Sequence, residues 1–352
     1  MAPTSAAPPA PAPSPAPASP GTQFGASVNL LFNGAGLGSA AIDAQLAALR
    51  ATGATLARSD APWELSEPTA PSGAVHHYDW SSDDRIAGAL ADHGLRWLPI
   101  IDYSAPWAQS IPGQDHSPPS SDADYAAYAA AVAARYGPGG AFWRTRPGRP
   151  ALPVQAFEIW NEPDNAQFWA PTADAGQYAR LYAAAHDAIH AVDASARVVV
   201  GGLTDAPQFV PEMIAADPPV RGVIDAVAIH PYAAMPAAVV ARVAQTRHAL
   251  DALGLSGVPL YVTEFGWTTS PPGALDYLPE TLRPAYIAGT LQALARSGCG
   301  IAATILYTWY APARDPANSQ QWFGISGSRR DVAAFSGGLR AAARAPARGG
   351  CA

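Results

Sequence analysis

Lysine is missing from this chain altogether: all 21 basic residues are arginines, set against 28 acids for a formal net charge of -7. An acidic balance without any basic run excludes a nucleic-acid surface and a basic membrane-binding patch. Cysteine is scarce too, with only Cys299 and Cys351 present. Two cysteines cannot build a disulfide framework or a cysteine-rich metal site. A single bridge pinning the C-terminus stays open, and two free thiols are the expectation. No run of about 18 apolar residues occurs, so no membrane-spanning helix is expected. What is plentiful is apolar content, 49% of 352 residues with only 14% charged, enough for one large core or two small ones.

Residues 1–25 form an Ala/Pro/Ser tract that cannot bury a core and reads as an extended, disordered linker. The tract has neither a basic n-region nor an apolar h-region, so it is not an intact signal peptide. It is expected to be the spacer behind a removed export signal or envelope anchor, which makes the protein secreted or extracellular. From residue 26 short apolar runs alternate with helical periodicity. Strands are predicted over 27–32, 54–58, 96–101, 154–160, 197–202, 224–229, 259–263 and 302–308. Helices are predicted over 40–51, 82–93, 122–135, 175–191, 207–215, 236–253, 281–297 and 331–344. Most strands lack polar alternation, as parallel strands covered on both faces do. Eight strand–helix units predict an α/β protein, a (β/α)8 TIM barrel over 26–345, with a flexible tail over 346–352. An open doubly wound sheet is the alternative, and the count of eight disfavours it.

Sites in such barrels lie at the C-terminal ends of the strands. Here polar and aromatic residues gather at six of those ends: Arg58, Asp60 and Trp63; Asp102, Tyr103 and Trp107; Asn161 and Glu162; His230 and Tyr232; Glu264 and Trp267; and Trp309. The apolar run from Phe157 breaks into Asn161-Glu162-Pro163, and the pattern recurs from Leu260 to Trp267 around Glu264. Two strand-end carboxylates are what glycosidic cleavage needs, one to protonate the leaving oxygen and one to attack or to direct water. Strand alternation groups Glu158, Trp160 and Glu162 on one face. Glu158 lies deeper, where a carboxylate needs a partner such as an arginine, so Glu158 is read as structural and Glu162 as catalytic. Carbohydrate is the implied partner. No cofactor is implied, and zinc ligation by His230 is not expected, because no second His or Cys stands at ligand spacing from it. Trp63, Trp107, Trp169, Trp267 and Trp322 follow strand ends and could extend an open cleft as platforms for the apolar faces of sugars, with packing the weightier reading for any one of them; Trp107, Trp169 and Trp267 are taken as substrate-binding candidates. Trp80, Trp97 and Trp143 are assigned to packing.

The run Trp160-Asn161-Glu162-Pro163, then Phe168-Trp169 and a Tyr-containing helix, with Thr263-Glu264-Phe265-Gly266-Trp267 downstream, resembles the glycoside hydrolases of clan A. Within that clan it is most similar to family 39, the β-xylosidase and α-L-iduronidase group with its barrel-only bacterial endo-acting relatives, over about residues 26 to 343. The resemblance implies Glu162 as general acid/base and Glu264 as nucleophile. It implies Asn161 as partner of the sugar 2-hydroxyl and Arg58 as charged donor to Glu264. His230 and Tyr232 would line the sugar subsite or orient the nucleophile, and Trp309 would stack under the cleaved sugar. The reaction implied is retaining hydrolysis through a covalent glycosyl-enzyme, with the two carboxyl groups about 5–5.5 Å apart. Family 39 xylosidases carry a β-sandwich after the barrel, for which too little sequence follows the eighth helix here, so endo-acting cleavage is expected.

Two rivals remain open. The loop Gly34-Ala35-Gly36-Leu37-Gly38-Ser39 faintly resembles a dinucleotide-binding turn with Asp60 as ribose acid, but its third glycine position holds Ser39. A barrel that binds glycans without cutting them, or that transfers sugars to other sugars, shares the same residues.

Overall fold

The computed structural model describes residues 22–33, 36–270, 274, 276–312, 314–346 and 350–351. Eight strands close into a parallel barrel in chain order, with the last pairing the first. They are β1 Gln23–Ser27, β2 Leu56–Pro62, β3 Arg96–Asp102, β4 Ala156–Asn161, β5 Arg197–Leu203, β6 Ala226–Ile229, β7 Leu260–Val262 and β8 Ile301–Leu306. One long helix follows each strand: α1 Ser39–Ala51, α2 Ser81–Asp92, α3 Asp122–Tyr136, α4 Ala175–Val192, α5 Ala206–Ala216, α6 Pro236–Ala252, α7 Arg283–Arg296 and α8 Arg329–Ala342. This is the predicted (β/α)8 barrel.

The helices form where apolar residues recur on one face. In α4, Tyr178, Leu181, Tyr182, Ala185 and Ile189 are buried, and Asp174 caps the first turn by accepting from Gln177 N. The tyrosines also steer the strand ends. Tyr178 Oη donates to Ile159 O and accepts from Gly201 N, and Tyr125 and Tyr128 of α3 donate to Ile101 O and Ala61 O. The barrel interior is small and apolar below, with Leu56, Leu98, Val199, Ala228, Tyr261 and Ile305 packed together. Above that layer the inward positions turn polar.

The first two strands depart furthest from expectation. The first strand starts at Gln23, inside the tract read as linker, and ends at Ser27; residues 1–21 of that tract lie outside the described residues. The apolar Leu30-Leu31-Phe32 run is a helical turn, because Asn29 folds back to accept from Asp60 N at 2.7 Å. Strand β2 runs four residues beyond the expected end, so Arg58 and Asp60 are mid-strand, interior-facing residues. The thiols are not free: Cys299, after α7, forms a disulfide with Cys351, with Cα atoms 4.3 Å apart. Sequence separation hid this. Nearby, α8 packs closely on α7, where a Cβ added at Gly338 would lie 3.1 Å from Ala288 Cα and 2.8 Å from Leu291 Cδ1.

Candidate active site

Strand alternation carries Arg58 and Asp60 of β2, Glu158 of β4, His230 after β6 and Tyr307 after β8 onto the inner face at the C-terminal end. Arg58 organises the floor. Its Nε and Nη2 donate to Glu158 Oε2 and Oε1 at 2.7 and 3.0 Å, its Nη1 to Glu264 Oε1 at 2.6 Å, and Nη2 also to Asn161 Oδ1 at 2.9 Å. Glu158 is fully buried and takes two further donors, Gly202 N at 3.0 Å and Thr263 Oγ1 at 3.1 Å. That is the partnered, structural carboxylate the sequence called for. Burial pulls the Arg58 guanidinium down, but the charges of Glu158 and Glu264 outweigh it and hold the proton more firmly than usual.

Glu264 has a donor on each oxygen: Arg58 on Oε1, and Tyr232 Oη on Oε2 at 2.7 Å. Burial first, then the Glu264 charge, pushes the Tyr232 phenol well above its ordinary range, so it stays a donor. Glu162 lies across from it. His230 Nδ1 is 2.8 Å from Glu162 Oε1, and Asn165 Nδ2 donates to Oε2 at 2.9 Å. Burial drives the Glu162 carboxyl up, but the hydrogen bond and charge of His230 outweigh it, and the net direction is down. For His230 burial works downward, and the charge of Glu264 with the bond to Glu162 outweighs it, so the imidazole is raised. One oxygen of Glu162 and one of Glu264 lie within 4.8 Å of each other, and His230 Nδ1 is 3.8 Å from Glu264 Oε2. The three groups are close enough to share a cation, but the Arg58 guanidinium already occupies that electrostatic role at Glu264.

The backbone breaks alternation to bring Asn161 and Glu162 in together. Trp160 and Glu162 have φ of 66° and 48°, the left-handed region that non-glycine residues seldom adopt. Glu158, Trp160 and Glu162 are consequently not on one face: the Trp160 indole packs against Tyr103, Tyr125 and Trp169, away from Glu158.

These residues line a cleft of about 930 Å³ that includes Asp60, Tyr103, Phe168, Tyr307 and Phe323. The expected tryptophan platforms do not line it. Trp309 is fully buried and donates to Gln45 Oε1 of α1; Trp169 donates to Gln177 Oε1, Trp267 to Ala233 O, and Trp107 to Glu67 O. Trp63 is buried against Tyr128, and Trp322 donates to Asp315 O. Each of these indole N–H groups has a protein acceptor, so packing, the weightier reading for any one of them, holds, and the substrate-binding role expected of Trp107, Trp169, Trp267 and Trp309 is not supported by their position. The aromatic walls are instead Tyr307 and Phe323, in contact edge to face at 5.3 Å between centroids. Tyr307 was legible: Ala303, Ile305 and Tyr307 follow strand alternation into the interior, and the chain turns before Trp309 can continue it. Phe323 and Asn165 lie in loops with no periodicity to announce them. Asp60 is held by Asn29 and Asn33 amides at 2.7 and 3.2 Å. Residues 34 and 35 of the glycine loop lie outside the described residues.

Gly202 seats the histidine. A methyl group there would fall 2.0 Å from His230 Nε2. Gly202→Ala is expected to push the ring off Glu162 at about 1–3 kcal/mol of overpacking, lowering the melting temperature and shifting the alkaline limb of the pH–rate profile, which the acid sets. A variant with wild-type melting and an unchanged profile would show that this face does not hold His230.

Residues 145–275 match the family model described as Glycosyl hydrolases family 39. No curated protein sequence matches the chain. Among solved structures, a monomeric β-xylosidase from Caulobacter crescentus superposes with a TM-score of 0.67 at 23% identity, covering 92% of this chain and 69% of that one. A GH39 enzyme from Xanthomonas axonopodis pv. citri gives 0.66 at 21% identity, over 92% and 70%. An endo-1,4-β-mannanase from Rhizomucor miehei gives 0.63 at 16% identity, over 94% and 97%. These structural likenesses carry the barrel fold. Over residues 145–275 the chain is similar to the glycosyl hydrolases of family 39, and that match supports an O-glycoside hydrolase.

Proposed function

We propose that this protein is a retaining glycoside hydrolase that cuts within a polysaccharide through a covalent glycosyl-enzyme. The observation that carries the reading is the opposition of two differently dressed glutamates with one oxygen of each within 4.8 Å, Glu264 fixed by Arg58 and Tyr232, and Glu162 tied to a protonatable His230. Oxygens of the two carboxylates this near each other favour the retaining separation of about 5–5.5 Å over the roughly 6.5–9.5 Å of inverting pairs. A Glu264 oxygen attacks the anomeric carbon while Glu162 gives its proton to the departing glycosidic oxygen. Water then attacks the same carbon, Glu162 takes its proton, and the Glu264–sugar bond breaks. His230 resupplies or accepts the proton that Glu162 moves. Asn161, oriented by Arg58, is placed for the sugar 2-hydroxyl, and Tyr307 with Phe323 supplies the aromatic wall.

Support for endo action comes from size. The cleft is at the upper end of small-ligand sites, and it adjoins a second groove of about 490 Å³ that shares Thr204, His230, Ala238 and Arg242 with it. Residence outside the cell is part of the same proposal, supported by the Cys299–Cys351 bond, which an oxidising compartment favours.

The test is reducing-end release from a panel of plant polysaccharides and bacterial exopolysaccharides, with products sized. A ladder of oligosaccharides is expected, and free monosaccharide as the sole early product would overturn endo cutting. Glu162→Gln should lose about 10²–10⁴-fold on the natural glycan but much less on an aryl glycoside whose leaving group needs no proton. Equal losses on both would remove Glu162 from the acid role.

A further inference from the structure

His186 and His190 stand four apart on α4, on one helix face. Their imidazoles are in contact, with centroids 4.0 Å apart, and both turn toward Asp225, the residue just before β6. His190 Nε2 lies 3.0 Å from Asp225 Oδ2 and 3.1 Å from Ala196 O. His186 Nε2 faces Asp225 Oδ1 across 3.8 Å, too long for a hydrogen bond. One ligand atom from each of the three lies within 4.8 Å of the others.

The surroundings prepare these atoms for an ion. His186 Nδ1 is 3.0 Å from the Asp187 carboxylate, which can accept an Nδ1 proton when an ion takes Nε2 on the Asp225 side. A carboxylate behind a ligating imidazole is the usual way such a nitrogen is oriented. Asp225 Oδ2 accepts from Val198 N at 2.9 Å, which fixes the carboxylate, and among the described residues no arginine pairs with it. Two imidazole nitrogens and one carboxylate oxygen form a donor set for zinc-type ions, with bonds of about 2.0–2.2 Å and a fourth position for water or a backbone carbonyl. The 3.8 Å gap between His186 Nε2 and Asp225 Oδ1 is a few tenths of an ångström wider than the roughly 3.4 Å two such bonds span at a tetrahedral angle, so loading draws the pair slightly together.

We propose that His186, His190 and Asp225 form a site for one divalent transition-metal ion of the zinc type, separate from the catalytic cleft. The site lies at the opposite end of the barrel: α4 runs back from the cleft, and Ala196 and Asp225 precede β5 and β6. That face of a barrel serves stability. A bound ion would staple the end of α4 to the starts of two strands. Loading requires His190 to carry its proton on Nδ1 and to give up the contact with Ala196 O.

The experiment uses the untagged full chain, stripped with a chelator and titrated calorimetrically with Zn²⁺, with Mg²⁺ as comparison. One zinc per chain is expected, with little Mg²⁺ uptake, and a rise in melting temperature of about 5 °C at a hundredfold excess over the dissociation constant. His186→Gln and His190→Gln should each weaken zinc binding by at least about tenfold, while the Glu162→Gln/Glu264→Gln double variant should bind it as the wild type does. Metal-free melting of the two histidine variants establishes that they are folded, and should one not fold, the other decides. No saturable zinc uptake, equal uptake by folded histidine variants, or loss only in the glutamate double variant would each overturn the proposal.

Discussion

Replacing Glu264 with Gln should reduce glycan hydrolysis by roughly 10⁴-fold or more, about 5.4 kcal/mol of transition-state stabilisation, without unfolding the protein. The amide keeps the side chain's shape, and Tyr232 can still donate to its oxygen. What disappears is the negative charge that would form the bond to the anomeric carbon. The charge also acts at a distance: after the opposing effect of burial, Glu264 is the largest influence holding the proton on His230. The variant should therefore release that proton at lower pH, a change visible as a shifted imidazole resonance. Azide separates the roles of the two glutamates. In Glu264→Gln it should attack the open face of an activated glycoside and give the inverted glycosyl azide. In Glu162→Gln it should attack the glycosyl-enzyme and give the retained one. Residual hydrolysis within tenfold of wild type, or a retained azide product from Glu264→Gln, would sink the assignment of Glu264 as nucleophile.

The barrel was readable because eight buried strands and eight amphipathic helices each leave a period in the sequence, and because Asn161-Glu162-Pro163 and Glu264 sit where strands stop. The catalytic floor was readable for a second reason: a buried glutamate such as Glu158 demands a cation, and Arg58 stands on an inward-facing strand position. The aromatic wall was not. A tryptophan after a strand end satisfies both packing and sugar stacking, and what decides is whether the indole N–H finds an acceptor inside the protein, as Trp309 does at Gln45. Trp160 shows a different limit. Alternation assigns it to the interior face, and one left-handed φ turns it away. The disulfide and the His186–His190–Asp225 cluster depend on contacts between elements, α7 with the C-terminal tail and α4 with the β6 start, that no local period encodes.

Arg58 is where fold and chemistry meet, so Arg58→Met should damage both. Methionine fills much of the same volume without charge or donors, and it leaves Glu158 wholly buried with only Gly202 N and Thr263 as donors. Breaking a buried pair by removing one partner costs about 3–5 kcal/mol, or about 6–15 °C in melting temperature at roughly 2–3 °C per kcal/mol for a large domain. Activity should fall as well, because Glu264 loses its cation and Asn161 its anchor. Adding Glu158→Gln distinguishes the two effects. The double variant removes the uncompensated charge and should recover most of the lost stability, while hydrolysis stays low because Glu264 and Asn161 remain unheld. Arg58→Lys should lie between: a single ammonium can meet one carboxylate but cannot fork to Glu158, Glu264 and Asn161 at once. If Arg58→Met melts within about 2 °C of the wild type, the floor of this barrel does not depend on the buried guanidinium. If the double variant regains activity together with stability, the contact with Glu264 is structural and not part of the chemistry.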